Sequence, residues 1–300
     1  MIEAETRAGF VAIVGAPNVG KSTLLNRLVG AKVSIVSPKV QTTRSRILGI
    51  CIVGAVQIVF IDTPGIFTPR RRLDRAMVAA AWNGARDADE VLLLVDAERG
   101  LDRDTEAIIT RLKTSERPVK LVLNKVDLVN KPGLLALAED LNETGIFTEI
   151  FMISAKTGDG FGDLMSNLED RMPKGPWLFP EDQISDLPGR LLAAEITREK
   201  LYLQLHQELP YAAAVETEGW KLKEDGSIKI DQIIYIERKS QKAIVLGRGG
   251  KRIKAIGEAA RKELEDLLKT RIHLFLFVKV RERWGDDPDR YRDLGLEFNA

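Results

Sequence analysis

The chain has little of what extracellular, metal-bound or membrane-spanning proteins use. Among its 300 residues there is one cysteine, Cys51, and there are two histidines, His206 and His273. One thiol excludes an internal disulfide framework and a cysteine-cluster zinc site, and it fits a reducing compartment. Two histidines alone could not build a His-rich metal centre. No apolar run approaches the ~18 residues of a membrane span, and residues 1–9 carry acids and no apolar core, so no signal peptide is expected there. Charge of one sign is not in excess: the net charge is +1. A nucleic-acid partner would therefore have to be read by a local patch.

What is present is ordinary globular composition, 44% hydrophobic and 30% charged, on a chain long enough for two domains at ~100–200 residues each. Short apolar runs at 10–14, 58–61, 91–95, 119–123 and 150–153 read as strands buried on both faces. They alternate with helical patterns near 22–29, 73–86, 104–113, 132–142 and 161–169, which predicts a mainly parallel sheet covered by helices on both faces. Residues 46–53 and 57–61 predict a hairpin across Gly54. From Met172 to Pro180 three prolines and a glycine mark a linker. Beyond it the pattern is mixed α+β: a helix near 190–206, strands near 211–218 and 227–238, a helix–loop–helix around Gly247–Gly250, and a last strand at 271–280. The expected division is 8–172, a linker at 173–189, and 190–300.

Four motifs occur in order, each at the end of a buried run. Gly15-Ala16-Pro17-Asn18-Val19-Gly20-Lys21-Ser22, followed by Thr23, has the spacing of a phosphate-binding loop. Its glycines let backbone N–H groups close around phosphate oxygens, and the helix it opens adds positive potential. Lys21 would reach the β- and γ-phosphates, and the Ser22 hydroxyl would bind Mg²⁺. Asp62-Thr63-Pro64-Gly65 places a carboxylate to hold Mg²⁺ through a water and an N–H to meet the γ-phosphate. Asn124-Lys125-Val126-Asp127 offers a carboxylate for the N1–H and 2-amino donors that distinguish guanine from adenine. Ser154-Ala155-Lys156 would offer a backbone N–H to the base oxygen. A plain glycine turn, an Asp-Pro-Gly turn and helix capping by Asp127 or Asn130 compete with these readings one at a time, but not as an ordered set.

This constellation resembles a small GTPase-type G domain over residues 10 to about 171. Gln41-Thr42-Thr43-Arg44 fills the remaining switch position and resembles the bacterial Era family. The resemblance implies that Thr43, or failing that Thr42, closes on Mg²⁺ and the γ-phosphate. The place where many such enzymes carry a water-orienting glutamine holds Ile66, so slow intrinsic hydrolysis is expected. Asn18 is a candidate ligand for a monovalent cation, K⁺, bridging the phosphates; a loop asparagine bonding its own backbone is the competing reading.

The later unit carries its own signal. Gly247-Arg248-Gly249-Gly250 resembles the G-x-x-G loop of a KH domain, followed by Lys251, Arg252 and Lys254. From Arg238 to Lys254 there are seven basic residues and no acid, the footprint of a local nucleic-acid groove. The element order matches the bacterial type II KH fold. Together, an α/β P-loop GTPase domain and a C-terminal KH domain form the Era layout. By that resemblance the expected cofactors are GTP/GDP and Mg²⁺, and the expected partners are the 3′ end of 16S rRNA and the small (30S) ribosomal subunit, whose assembly it would assist. The chain is expected to be cytoplasmic and monomeric, with peripheral inner-membrane contact implied by the family only. An RNA-binding module with a structural nucleotide and a membrane-associated signalling GTPase are the alternatives.

Overall fold

Two compact units share the chain in the computed structural model, which describes residues 5–115, 117–205, 213–282, 284 and 287–300. The first unit takes in residues 1–34, 43–186 and 294–300; the second takes in 35–42 and 187–293.

The first unit is built on a six-stranded sheet in which continuous apolar runs become central strands. These are β1 (Arg7–Val14), β2 (Ile47–Val53), β3 (Val56–Asp62), β4 (Glu90–Asp96), β5 (Val119–Asn124) and β6 (Phe147–Met152), in the order β2-β3-β1-β4-β5-β6. Only the β2–β3 pair is antiparallel, closed by a tight turn with Gly54 at φ +57° and Val53 opposite Val56. The last strand begins three residues before the expected 150, because an edge strand is only half buried and its apolar run is diluted by Thr148 and Glu149. Helices α1 (Lys21–Val29), α2 (Arg72–Asp87), α3 (Arg103–Lys113) and α4 (Lys131–Asn142) connect the strands, and α5 (Phe161–Arg171) follows β6. Asp102 caps α3 by accepting from Thr105 N–H at 2.8 Å, and Asn130 caps α4 by accepting from Gly133 N–H at 2.9 Å. Strand β1 has parallel neighbours on both sides, β3 and β4. The carboxyl ends of such strands form the crevice where open α/β sheets bind ligands.

The second unit has α6 (Gly189–Gln204), β7 (Ala213–Leu222), β8 (Ile228–Ile236), α7 (Lys239–Leu246), α8 (Lys251–Leu268), β9 (Ile272–Val280) and α9 (Pro288–Asp293). Its sheet order is β7-β8-β9, with β7–β8 antiparallel and β8–β9 parallel. A parallel step needs a crossover, and α7, the glycine loop and α8 supply it. Ile256, Ala260 and Leu264 of α8 bury one stripe against Ile230, Ile234 and Ile272 of the sheet. Expected positions 206, 211 and 212 lie outside the described residues.

The division differs from a cut at 173 and 190 in three places. Linker residues to Asp186 lie with the first unit, where Ser185 Oγ donates to Leu48 O at 2.8 Å and Asp186 accepts from Leu48 N–H at 2.9 Å. Residues Leu294–Ala300 also lie there, with the Arg72 guanidinium 4.3 Å from the Phe298 ring centroid. Residues Ile35–Thr42 lie with the second unit. Side-chain partners distant in sequence decide each case.

Candidate guanine-nucleotide site and nucleic-acid loop

The turn after β1 is held open by glycines for identifiable reasons. Gly15 has φ +155°, and a Cβ there would stand 2.5 Å from Leu94 O; at Gly20, φ +102°, it would stand 2.3 Å from Asn124 Nδ2. Asn18 also adopts the left-handed region, at φ 65°. Lys21 opens α1 and is buried, its Nζ donating to Gly15 O at 3.1 Å and Ala16 O at 2.9 Å. Burial pushes its pKa down to about 8, with the Asp62 carboxylate opposing that shift. These carbonyls stand in for phosphate oxygens as acceptors of the ammonium.

A polyphosphate beside Lys21 would favour its charged form. With burial holding the Lys21 pKa down to about 8 in the free protein, nucleotide binding there would take up a proton and weaken as pH rises. Calorimetry at about pH 9 in two buffers of different ionisation enthalpy should read that uptake. Identical heats in both buffers would refute it.

At the end of β3, Asp62 is fully buried. Its Oδ2 accepts from Ser22 Oγ at 2.7 Å, Ser34 Oγ at 2.9 Å and Thr43 Oγ1 at 3.2 Å, and Ser22 and Thr43 hydroxyls are 2.9 Å apart. Oδ1 is buried with no hydrogen-bond partner. Burial raises the Asp62 pKa, against the pull of Lys21 and the three hydroxyls. One orphaned carboxylate oxygen beside two convergent hydroxyls is a hard-oxygen donor set suited to Mg²⁺, which keeps waters and shares ligands with phosphate. No cluster of three or more His, Cys, Asp or Glu ligands occurs among the described residues, so a divalent ion would need the nucleotide to complete its shell. Of the two threonines, Thr43 reaches this cluster. The Thr42 hydroxyl instead donates to Lys39 O at 2.6 Å.

Thr63 Oγ1 donates to Ile13 O at 2.8 Å and Pro64 is buried. Gly65 lies against Pro17, where a Cβ would meet Pro17 Cα at 3.0 Å. The Ile66 N–H donates to Gly15 O at 3.1 Å, and its side chain is buried in the core.

The base-side loops are tied to the phosphate loop by one side chain. Asn124 Nδ2 donates to Val19 O at 2.7 Å, and its Oδ1 accepts from Ala155 N–H at 2.9 Å. Lys125, at φ 66°, donates to Asp96 Oδ2 at 2.6 Å, and Val126 N–H donates to Ile153 O at 3.2 Å. Ser154 Oγ donates to Asp127 Oδ1 at 2.6 Å, so Asp127 is held by the neighbouring loop and does not cap α4. Lys156 is exposed.

Sequence reasoning missed Asp96, Ser34 and Asn26. Asp96 ends β4 buried between Lys125 and Arg99. Asn26 Oδ1 accepts from both Val33 and Ser34 N–H at 2.9 Å, which aims Ser34 at Asp62. A lone acid at a strand end was the only available signal for Asp96; Ser34 and Asn26 carried none.

In the second unit, Gly247 ends α7 at φ 70°, ψ 172°, and a Cβ there would meet Arg252 Cβ at 2.7 Å. Gly249 and Gly250 follow at φ 60° and 75°. Arg248, Lys251, Arg252 and Lys254 are exposed around the loop. Arg252 also braces it, donating to Ile244 O at 2.7 Å. Beside the loop a cleft of about 570 Å³ runs between α8 and β9, with Ile253, Leu274, Phe275 and Leu276 on its walls and Lys254, Glu258 and Arg261 among its polar lining. Apolar walls beside the exposed Lys251, Arg252 and Lys254 suit unstacked bases on a charged backbone.

Residues 10–125 match the family model described as 50S ribosome-binding GTPase, and residues 208–285 match the KH domain model. The chain is 64% identical to the GTPase Era of Rhizobium meliloti and 60% identical to that of Brucella suis. Each alignment covers 98% of this chain and 94% of the relative. The chain belongs to the Era GTPase family. It is a GTP-hydrolysing enzyme built from a G domain and a KH domain. Two solved Era structures superpose at TM-score 0.92 with 41% identity, covering 97% of this chain and 99% of theirs. One is an Aquifex aeolicus variant bound to GDP·AlF4⁻; the other is Era in complex with MgGDPNP and nucleotides 1506–1542 of 16S ribosomal RNA.

Proposed function

We propose that the chain is a GTP-driven switch that binds the 3′ end of 16S rRNA through its KH loop and assists assembly of the 30S subunit. The observation that carries this reading is the coexistence of a Mg²⁺–guanine-nucleotide donor set and a basic glycine loop on one chain. A relative that is 41% identical holds MgGDPNP and 16S rRNA nucleotides together. Functionally, residues 8–172 act as the G domain, 173–189 as the connection and 190–300 as the RNA-binding domain with its tail.

In the G domain, residues 15–23 cradle the phosphates and Lys21 neutralises β- and γ-phosphate charge. Ser22, Thr43 and Asp62 gather Mg²⁺, and the Gly65 N–H meets the γ-phosphate. Asn124, Lys125, Asp127 and the Ser154–Lys156 loop hold the base. Transfer to water then needs positioning and charge neutralisation rather than covalent chemistry. Gly247, Arg248, Gly249, Gly250, Lys251, Arg252 and Lys254 grip the RNA backbone, and the α8–β9 cleft takes the bases.

The deciding experiment is binding of a short single-stranded copy of the rRNA 3′ end, with a non-hydrolysable GTP analogue and with GDP. Tighter binding with the analogue, weakening as salt rises, is expected. Equal binding in both states removes the switch, and no binding removes the ribosomal reading.

The buried aliphatic side chain of Ile66 cannot orient water, so basal turnover is slow, and Asn18 in the phosphate loop recruits K⁺ as a fixed positive charge. Replacing K⁺ by Na⁺ should lower steady-state phosphate release; equal rates would remove the K⁺ role. The RNA partner and the single cysteine support a cytoplasmic location, and the chain acts as a monomer. Peripheral inner-membrane contact rests on family resemblance, and no described helix is long and apolar enough to cross a membrane.

A further inference from the structure

Strand β4 ends in a buried charge. Asp96 closes the apolar run 91–95 and is only 2% exposed. Its Oδ1 accepts from Glu98 N–H at 3.1 Å, a bond that a neutral asparagine would make as well. Its Oδ2 faces two cations. Lys125 Nζ donates to it at 2.6 Å, and Arg99 Nε stands 3.5 Å away. Arg99 also reaches the phosphate loop, where its Nη1 donates to Pro17 O at 3.3 Å. In the β4–β5 ladder Asp96 lies opposite Asn124, and Ala97 N–H donates to Asn124 O at 2.9 Å. The carboxylate is thus registered to the loop that carries Lys125.

A carboxylate is expensive to bury and is retained where charged partners satisfy it. The Glu98 bond needs no charge, so the charge serves the two cations. Lys125 sits in the left-handed region at φ 66°. That conformation is uncommon for a residue with a side chain and persists where the surroundings over-determine it. A free lysine side chain has many rotamers, and freezing them on binding lowers affinity. With the ammonium already anchored on Asp96, the apolar stem of Lys125 is fixed beside the base loop before a nucleotide arrives. Such a stem covers apolar surface while its charged head stays satisfied, and a purine face is a surface of that kind.

We propose that Asp96 is a positioning residue for guanine-nucleotide binding: it anchors Lys125 and presets the base-side loop for GTP and GDP alike. The proposal rests on the base being held by the loop at 124–127. Both nucleotides carry the same base and ribose, so Asp96 raises the affinity of the two equally. It touches no phosphate and no reacting atom, so it acts on binding and not on the hydrolytic step.

The test uses the full-length chain with Asp96→Asn, Lys125→Met and the double variant. Asparagine keeps the Glu98 bond and the volume; methionine keeps an apolar stem and loses the ammonium. Affinities for GDP and for a magnesium-bound GTP analogue are measured separately, with KM and kcat for GTP beside them. Losing the charged partner should weaken both nucleotides about tenfold in Asp96→Asn, raise KM in step and leave kcat in place. The double variant should bind as Lys125→Met does, because Asp96 acts through Lys125. Unaltered affinity in Asp96→Asn, or losses that add in the double variant, overturns the proposal. If Asp96→Asn does not fold, ¹⁵N NMR of the Lys125 ammonium in the wild-type GDP complex decides: slow proton exchange supports an anchored head and fast exchange overturns it. Wild type that binds neither nucleotide would instead refute the reading of the nucleotide site.

Discussion

Replacing Asp127 by Asn should cost GTP affinity roughly a hundredfold to ten-thousandfold while opening the site to xanthosine triphosphate. On the proposed reading, Asp127 would offer an acceptor to each of two guanine donors, N1–H and the 2-amino group. A hydrogen bond to a charged group contributes about 1.5–3 kcal/mol, so losing the pair costs about 3–6 kcal/mol, and each 1.4 kcal/mol is a factor of ten. Asparagine cannot accept twice: its amide N–H₂ would face the 2-amino group donor to donor. Xanthine carries an oxygen at that place and fits the amide. The loop should survive the change, because the Asn oxygen can still accept from Ser154 Oγ, which Asp127 Oδ1 does at 2.6 Å. Competition binding with both nucleotides checks the swap. Unchanged GTP affinity would mean that Asp127 does not read the base.

The second large effect is expected in the other unit. Gly249→Asp should lower RNA affinity by about a hundredfold, the scale of two lost phosphate contacts to charged groups, and leave GDP affinity unchanged. Gly249 lies at φ 60°, ψ 27°, and a Cβ there meets nothing within 4 Å. The cost to the fold is then the left-handed backbone alone, about 1–2 kcal/mol for an ordinary residue and less for Asp, which visits that region. What changes is the field: a carboxylate replaces open space between Arg248 and Lys251, where a phosphate would lie. RNA titration beside a thermal melt separates the two effects. Intact folding with intact RNA binding would move recognition away from this loop.

Both substitutions fall on residues that were legible in the sequence, and the reason is local. A phosphate loop is a turn between one strand and one helix, so its glycines and its lysine must sit at fixed spacing. The same holds for Asp62 at the end of β3, Asn124–Asp127 at the end of β5, and the glycine loop between α7 and α8. Continuous apolar runs marked strands buried on both faces, and they failed only where burial was partial, at β6. The choice between Thr42 and Thr43 was not legible, because both lie in one exposed-looking polar run and only the fold aims one hydroxyl at Asp62.

By itself, then, the sequence determined the two-part architecture, the order of the nucleotide motifs and the basic glycine loop. Each depends on residues close together in the chain and on the period of burial. Tertiary structure alone decided what connects distant residues: Asp96 holding Lys125, Asn26 aiming Ser34, the placement of Leu294–Ala300 with the first unit, and Arg198 grasping the carbonyls of Gln41 and Thr42. An asparagine, a serine or an arginine has no spacing that announces such a partner. Its role exists only once packing has brought the partner within hydrogen-bond reach.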